Sequence, residues 1–302
     1  MDMVTIFCDI DDFCRHLLTA PYPQLAAPSS PSKHRSLCLT LSEVMPILVF
    51  FHASHYRTFK HFYRDHMLGQ GRGEFPTLPS YTRFVELIPM TLLPFCSYVQ
   101  TRKGQPTGIQ FIDSLPIRVC HNRRISSHRV FAGLAPRGKG SMGWFYGFKR
   151  HLVINEQGEL LAFTLTPGTG NTDDRRPVAK LVRQLWGKLF ADRGYISQEL
   201  FEQLGAEGLQ LITKLKRKMK NKLLPLLDKV LLRQRALIKC VNDQLKNISQ
   251  IEHARHCRAT NGIVNMLAAV VAYTFQSKKP ALDLSMDQNS LDQQLFLAVT
   301  TS

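Results

Sequence analysis

The sequence predicts an α/β fold: a mixed sheet flanked by helices, preceded by an all-helical region. Three observations carry that prediction. Residues 108–119 and 188–195 hold short apolar runs of strand character, each with one aspartate. Between them, Asn155-Glu-Gln-Gly158 separates two apolar runs as the turn of a hairpin does. Ahead of residue 105 the apolar residues recur at helical spacing instead.

In chain order, residues 1–20 read as an amphipathic helix. Ile6, Phe7, Ile10, Phe13, Cys14 and Leu17 lie on one side, with Asp9, Asp11 and Asp12 on the wet face. Residues 21–36, rich in Pro, Ser and Ala, read as a linker. Thr40 and Glu43 are spaced as a capping box. The helix they start runs through Val44, Leu48, Phe51, His55 and Phe59 toward His66 and stops at the glycines of 69–73. Ser80 caps a further helix over 81–87. Arg57, Lys60, His61, Arg64 and Arg83 take exposed positions, where two basic helices can grip DNA, although the connection is too long for a compact helix-turn-helix. His52 and His55 are spaced to share a zinc ion, but no second ligand pair matches them.

From residue 108 the pattern turns to strands. Ile109, Phe111, Leu115, Ile117 and Val119 alternate, and Asp113 falls on their apolar face. A carboxylate there is costly unless a cation compensates it. Asp113-Ser114 can simply open a turn before Pro116; alternatively, Asp113 is a metal ligand on a central strand. Residues 120–143 read as a basic loop with Arg123, Arg124, Arg137 and Lys139, and Gly138-Lys-Gly-Ser141 within it lacks the spacing of a phosphate-binding P-loop. Residues 145–154 and 160–165 form the hairpin, 177–186 a helix stopped by Gly187, and 188–195 a short strand ending on Asp192. Ser197 caps another helix, and 209–215 gives a last strand. The order β-β-β-α-β-α-β is that of the ribonuclease H-like fold, three antiparallel strands followed by parallel ones. In it the first and fourth strands are neighbours, so Asp113 and Asp192 are expected to face each other closely enough to share a metal.

The run 214–222 is the densest in charge, and Lys216, Arg217 and Lys218 read there as a phosphate grip. A helix over 228–248 turns Ile238, Val241, Leu245 and Ile248 inward and lines its polar side with Arg235, Lys239, Asn242, Asp243 and Lys246. Residues 261–276 form the last helix. The domain boundaries follow: a helical DNA-binding region over 1–105, a ribonuclease H-like catalytic domain over 106–279, and a polar tail over 280–302 expected to be poorly ordered.

Composition narrows the function. Of 302 residues, 39 are Lys or Arg and 23 are Asp or Glu, a net charge of +16 spread along the chain, which argues for a polyanionic partner, DNA or RNA. Seven scattered cysteines without a CxxC pair suit a reducing cytosol and speak against a disulfide scaffold or zinc knuckle. No signal peptide is visible, and the longest apolar stretch, 263–275, carries Asn265 and is shorter than the roughly 20 residues of a membrane span. A cytoplasmic, nucleoid-associated protein without a membrane partner is expected.

Several segments together make a more specific pattern: Phe7-Cys-Asp-Ile-Asp-Asp-Phe-Cys14, Ser54-His-Tyr-Arg57, Phe111-Ile-Asp-Ser114, Gly143-Trp-Phe-Tyr-Gly-Phe-Lys149, Asp173-Asp-Arg175, Ala191-Asp-Arg-Gly-Tyr195 and Asn242-Asp-Gln-Leu-Lys-Asn-Ile-Ser-Gln-Ile-Glu-His253. Through them the chain resembles bacterial insertion-sequence transposases of the DDE class, specifically the insertion-sequence nine-eighty-two group, over residues 1–280. The resemblance implies three acidic metal ligands, the first matching Asp113 and the second Asp192. The third, a glutamate in an Arg-x3-Glu-x6-Lys pattern, falls between Arg235 and Lys246, where this chain has Lys239. Asp243, one turn on, and Glu252 are the substitutes at hand.

What the resemblance implies chemically is a pair of Mg²⁺ ions, with Mn²⁺ as substitute, about 3.5–4 Å apart and held by hard carboxylate oxygens. Water first frees a 3′-OH, and that hydroxyl then attacks target DNA. An ammonium at position 239 offers no lone pair and repels the metal. Arg123 and Arg124 are candidates to bind DNA, Lys149, Arg235 and Lys246 are candidates to hold phosphates or a hairpin end, and Trp144 and Tyr195 can stack on an exposed base, although a place in the core is the commoner role for both.

The expected partners are terminal inverted repeats and target DNA, bound by a homodimer. The leading function is metal-dependent DNA strand cleavage and transfer, with Lys239 putting the activity of this copy in question. The alternative is a transposase-derived DNA-binding protein that no longer catalyses. A third option is a repair or RNA-processing nuclease that cleaves without joining.

Overall fold

The alternation over residues 109–118 becomes β1 (Ile109–Arg118), the centre of a six-stranded mixed sheet. A computed structural model describes residues 2–19, 39–140, 143–168, 174–214, 224–249, 251 and 256–282. β2 (Arg137–Gly140) and β4 (Leu160–Pro167) both pair antiparallel with β3 (Gly143–Asn155). β3 pairs antiparallel with β1, and β1 then pairs parallel with β5 (Gly187–Ala191), which pairs parallel with β6 (Leu209–Thr213). The first and fourth strands of the expected order are therefore neighbours, as the ribonuclease H-like order requires.

The helices are α1 (Met3–Thr19), α2 (Leu41–Ala53), α3 (Phe59–His61), α4 (Tyr81–Leu87) and α5 (Leu92–Thr101) before the sheet. Within and after it come α6 (Val178–Leu181), α7 (Gln198–Ala206), α8 (Leu226–Arg233), α9 (Ala236–Asp243) and α10 (Ala259–Thr274). Alternation along the strands divides the core. Phe111, Leu152, Ile154 and Phe190 face α8, α9 and α10, whereas Ile112, Val153, Leu189 and Ala191 face α6 and α7. The first of these cores continues without a break into Ile6 and Ile10 of α1 and Ile47 and Phe51 of α2. The N-terminal helices and the sheet thus share one apolar interior.

Several elements depart from the sequence reading. The helix expected from Thr40 to His66 ends at Ala53, because His55 takes a left-handed φ of 62°, and it restarts where Thr58 caps α3 before a wide π-type turn over Phe62–Met67. The helix expected over 177–186 is a single turn, since Gln110 Nε2 donates to the Trp186 carbonyl and Gly187 (φ 89°) turns tightly into β5. The long helix over 228–248 breaks at Gln234 and Arg235 and ends in a π-type turn, Gln244–Ile248. β2 lies inside the segment read as a basic loop. Asp9 is not simply solvated, because it accepts hydrogen bonds from Tyr98 and from Arg102 Nη1 and so ties α1 to α5. The linker at 21–36, Lys216, Arg217 and Lys218, Glu252 and residues 283–302 lie outside the described residues. No described helix is long and apolar enough to cross a membrane.

Candidate active site

β1 and β5 run parallel with Phe111 opposite Phe190, and two residues further along each strand this register brings Asp113 level with Asp192. Side chains two apart share a face of a strand. Both aspartates therefore belong to the face on which the Phe111 and Phe190 rings stack at 5.5 Å, the face covered by α8 and α9. Asp192 has just left β5, heading the single turn Arg193–Tyr195, and its side chain is 53% exposed. Asp113 is half-buried within its strand.

Different groups hold the two carboxylates. Asn242 Nδ2 of α9 donates to Asp113 Oδ2 at 2.9 Å, and Arg150 Nη2 donates to Asn242 Oδ1 at 2.6 Å. Arg150 is fully buried on β3, opposite Leu115 and hence on the same sheet face as Asp113. Asp192 Oδ1 instead accepts from Arg235 Nη2 at 3.1 Å. The break between α8 and α9 sets the buried Arg235 at the start of α9, against Asp192. Burial holds the Asp113 carboxyl above the ordinary carboxylate range; Arg235 and Lys239 pull it down, and Asp192 adds to the rise. Arg235, Asp192 and Lys239 thus all act on the charge at Asp113. With both carboxylates ionised, the quartet has no net charge.

Lys239 is exposed, one turn after Arg235 on the same helix. Asp243, the nearest substitute ligand, is also exposed, and its Oδ1 accepts from Asn247 Nδ2 at 2.5 Å. The α9 side chain that reaches Asp113 is Asn242. Lys149 sits on the other sheet face, where it pairs with Asp174 at 2.7 Å. Beside it His151 is buried, its pKa lowered to about 4 by desolvation, and its Nε2 lies 3.0 Å from Thr166 Oγ1. Arg123 and Arg124 are exposed on a short turn after β1, and Lys246 lies half-buried in the turn after α9. His52 does not face His55. Its Nδ1 donates to the Ser249 carbonyl at 2.6 Å.

Tyr195 is buried, as a core tyrosine should be, but Trp144 is 46% exposed, contrary to the core role expected of it. The Arg137 guanidinium lies 4.9 Å from the Trp144 ring centre, across the antiparallel pair of β2 and β3. Sequence reasoning missed Arg150 as a site residue. The signal was there: Lys149-Arg150-His151 interrupts an otherwise apolar strand.

The donor set can be tested against the divalent ions that DDE transposases use. Among the described residues, no three His, Cys, Asp or Glu side chains are grouped to hold a metal. Position 239, where the resemblance puts a third carboxylate, is an ammonium, Asp192 already answers a guanidinium, and Asn242 Oδ1 already accepts from Arg150. The residues present do not fit a two-ion centre.

A family model described as a transposase DDE domain matches residues 103–259, just over half of the chain. Among solved structures, the chain is similar to a piggyBac transposase in a synaptic complex with hairpin DNA, determined by cryo-EM. The TM-score is 0.51 at 10% identity, over 91% of this chain and 74% of that one. This likeness concerns the fold. No curated protein sequence matches the chain. The strand order, the aspartates at the β1–β5 pair and the matched span agree: the chain belongs to the transposase DDE domain family.

Proposed function

We propose that this chain acts on DNA as a transposase of the bacterial insertion-sequence nine-eighty-two kind, gripping an element's terminal inverted repeats, and that Lys239 leaves it unable to cut them. The observation that carries the reading is the convergence of Asp113 and Asp192 on the sheet face beneath α9, answered there by Arg235 and Lys239. A net charge of +16 supplies the attraction to phosphates. In this reading the helices of 1–105 recognise the element ends, residues 106–279 carry the carboxylate site, and the working unit is a homodimer on DNA. A glutamate at position 239 would set three carboxylates against the guanidiniums of Arg235 and Arg150, an excess of negative charge that draws Mg²⁺ or Mn²⁺.

The test uses a supercoiled plasmid carrying the coding sequence with its natural flanks, incubated in Mg²⁺ or Mn²⁺ with the chain or with its Lys239→Glu variant. Both are expected to bind the flanks, with affinity falling as salt rises, and only the variant to nick them. Nicking by the unaltered chain would overturn the silencing. Binding without nicking by either protein would remove Asp113 and Asp192 from the proposed role.

A further inference from the structure

A cavity of about 510 Å³ opens between the α2–α3 connection, α4 and α10, and none of the aspartate quartet lines it. Its lining is graded. Arg57 and Lys60 are exposed, Phe59 and Tyr81 are half-buried, and Asn261 and Asn265 are 4% and 8% exposed. The two asparagines stand one turn apart on one face of α10. Asn261 Nδ2 donates to the Val85 carbonyl at 3.3 Å, which fixes the orientation of that amide. The buried Oδ1 of Asn261 and the buried Nδ2 of Asn265 have no hydrogen-bond partner among the described residues. An unmatched buried acceptor and an unmatched buried donor each cost free energy that a ligand would restore. α10 otherwise buries mainly apolar side chains such as Val264 and Ala268. Asn265 also stands beside the buried His52, whose pKa burial lowers and the Asn265 side chain raises, and its Nδ2 is left unmatched. No carboxylate lines the cavity among the described residues.

We propose that this cavity takes a single unpaired DNA base, and the proposal rests on the DNA-binding reading above. The base lies against Phe59 and Tyr81, its edge donates to Asn261 Oδ1 and accepts from Asn265 Nδ2, and its phosphate sits at Arg57 and Lys60. Every nucleobase edge carries at least one donor and one acceptor, and every base has a face on which an aromatic ring can stack. The volume suits a nucleotide. The pocket would give a helical region without a compact helix-turn-helix a means of reading DNA.

Fluorescence anisotropy at fixed salt tests this with a labelled mixed-sequence duplex in three forms: one bulged nucleotide, the same bulge made abasic, and fully paired. The chain is expected to bind at least one of the four base-carrying bulges about tenfold or more tighter than the abasic bulge. An Asn261→Leu/Asn265→Leu variant should lose that preference and bind the paired duplex as before. Equal binding of base-carrying and abasic bulges overturns the pocket and leaves the DNA reading standing; no binding of any duplex overturns both. A second measurement needs no variant. Photocross-linking with 5-iododeoxyuridine in the bulge should label Phe59 or Tyr81, and labelling confined to other aromatic side chains, such as the exposed Trp144, overturns the proposal.

Discussion

The strand interior around Asp113 and the strand end around Asp192 hold their carboxylates by different means. Asp113 is fixed through packing: Asn242 donates to it, and a fully buried arginine holds Asn242 in turn. Asp192 is half in solvent and is held by one guanidinium at 3.1 Å. The first arrangement is rigid and costly to disturb, because each member leaves another buried group unmatched. The second can exchange its partner for water. Lys239, although exposed, contributes to the field at Asp113. The site thus pairs a packed carboxylate with a solvent-facing one, beside an exposed cation at position 239.

The largest effect that would break this contrast is Arg150→Met. It strands the Asn242 carbonyl oxygen and should cost about 2–4 kcal/mol in a urea titration; a cost below about 1 kcal/mol would mean that the Asp113 region is not held by packing. Next comes Asn242→Leu, which removes a donor from Asp113 and drives its carboxyl further up. A carboxyl whose pKa is raised by folding contributes stability that is present below its unfolded value and lost as pH rises through its folded value. The variant's melting temperature should therefore fall further below wild type at pH 7 than at pH 4, and a deficit independent of pH would contradict the assigned contact. Arg235→Gln should cost within about 1 kcal/mol, because water can solvate the half-exposed Asp192. A loss as large as that of Arg150→Met would erase the distinction between the two regions. Lys239→Glu should shift stability least, within about 0.5 kcal/mol by the same titration, as an exposed position does.

How much of this was legible in the sequence follows the same division. Strand alternation and the apolar run ending on Asp192 were enough to place β1 and β5, and the resemblance, fitted onto Arg235 and Lys246, singled out Lys239. Arg150 and Asn242 were not legible as partners, because 92 residues separate them and only the packing of α9 on the sheet joins them. The helix breaks at His55 and Gln234 escaped a reading based on apolar period, which runs on through them. β2 escaped because Arg137-Gly-Lys-Gly140 has no β-branched or aromatic residue to mark a strand. Asp9 was read as solvated because helical spacing cannot show that Tyr98 and Arg102 approach that face. The asparagines of α10 stood out only as one polar interruption at Asn265, and their convergence with Phe59 and Tyr81 is tertiary.

The proposal's central claim is that replacing Lys239 by a carboxylate is enough to open the aspartate pair to metal, with Asp192 exchanging Arg235 for the ion. Mn²⁺ titration followed by electron paramagnetic resonance tests it most directly, comparing the chain, its Lys239→Glu variant and that variant with Asp113→Asn added. Mn²⁺ is expected to bind the Lys239→Glu variant and to be lost again on adding Asp113→Asn, with no binding by the unaltered chain that depends on Asp113. Equal Mn²⁺ binding by the unaltered chain and the Lys239→Glu variant would contradict it.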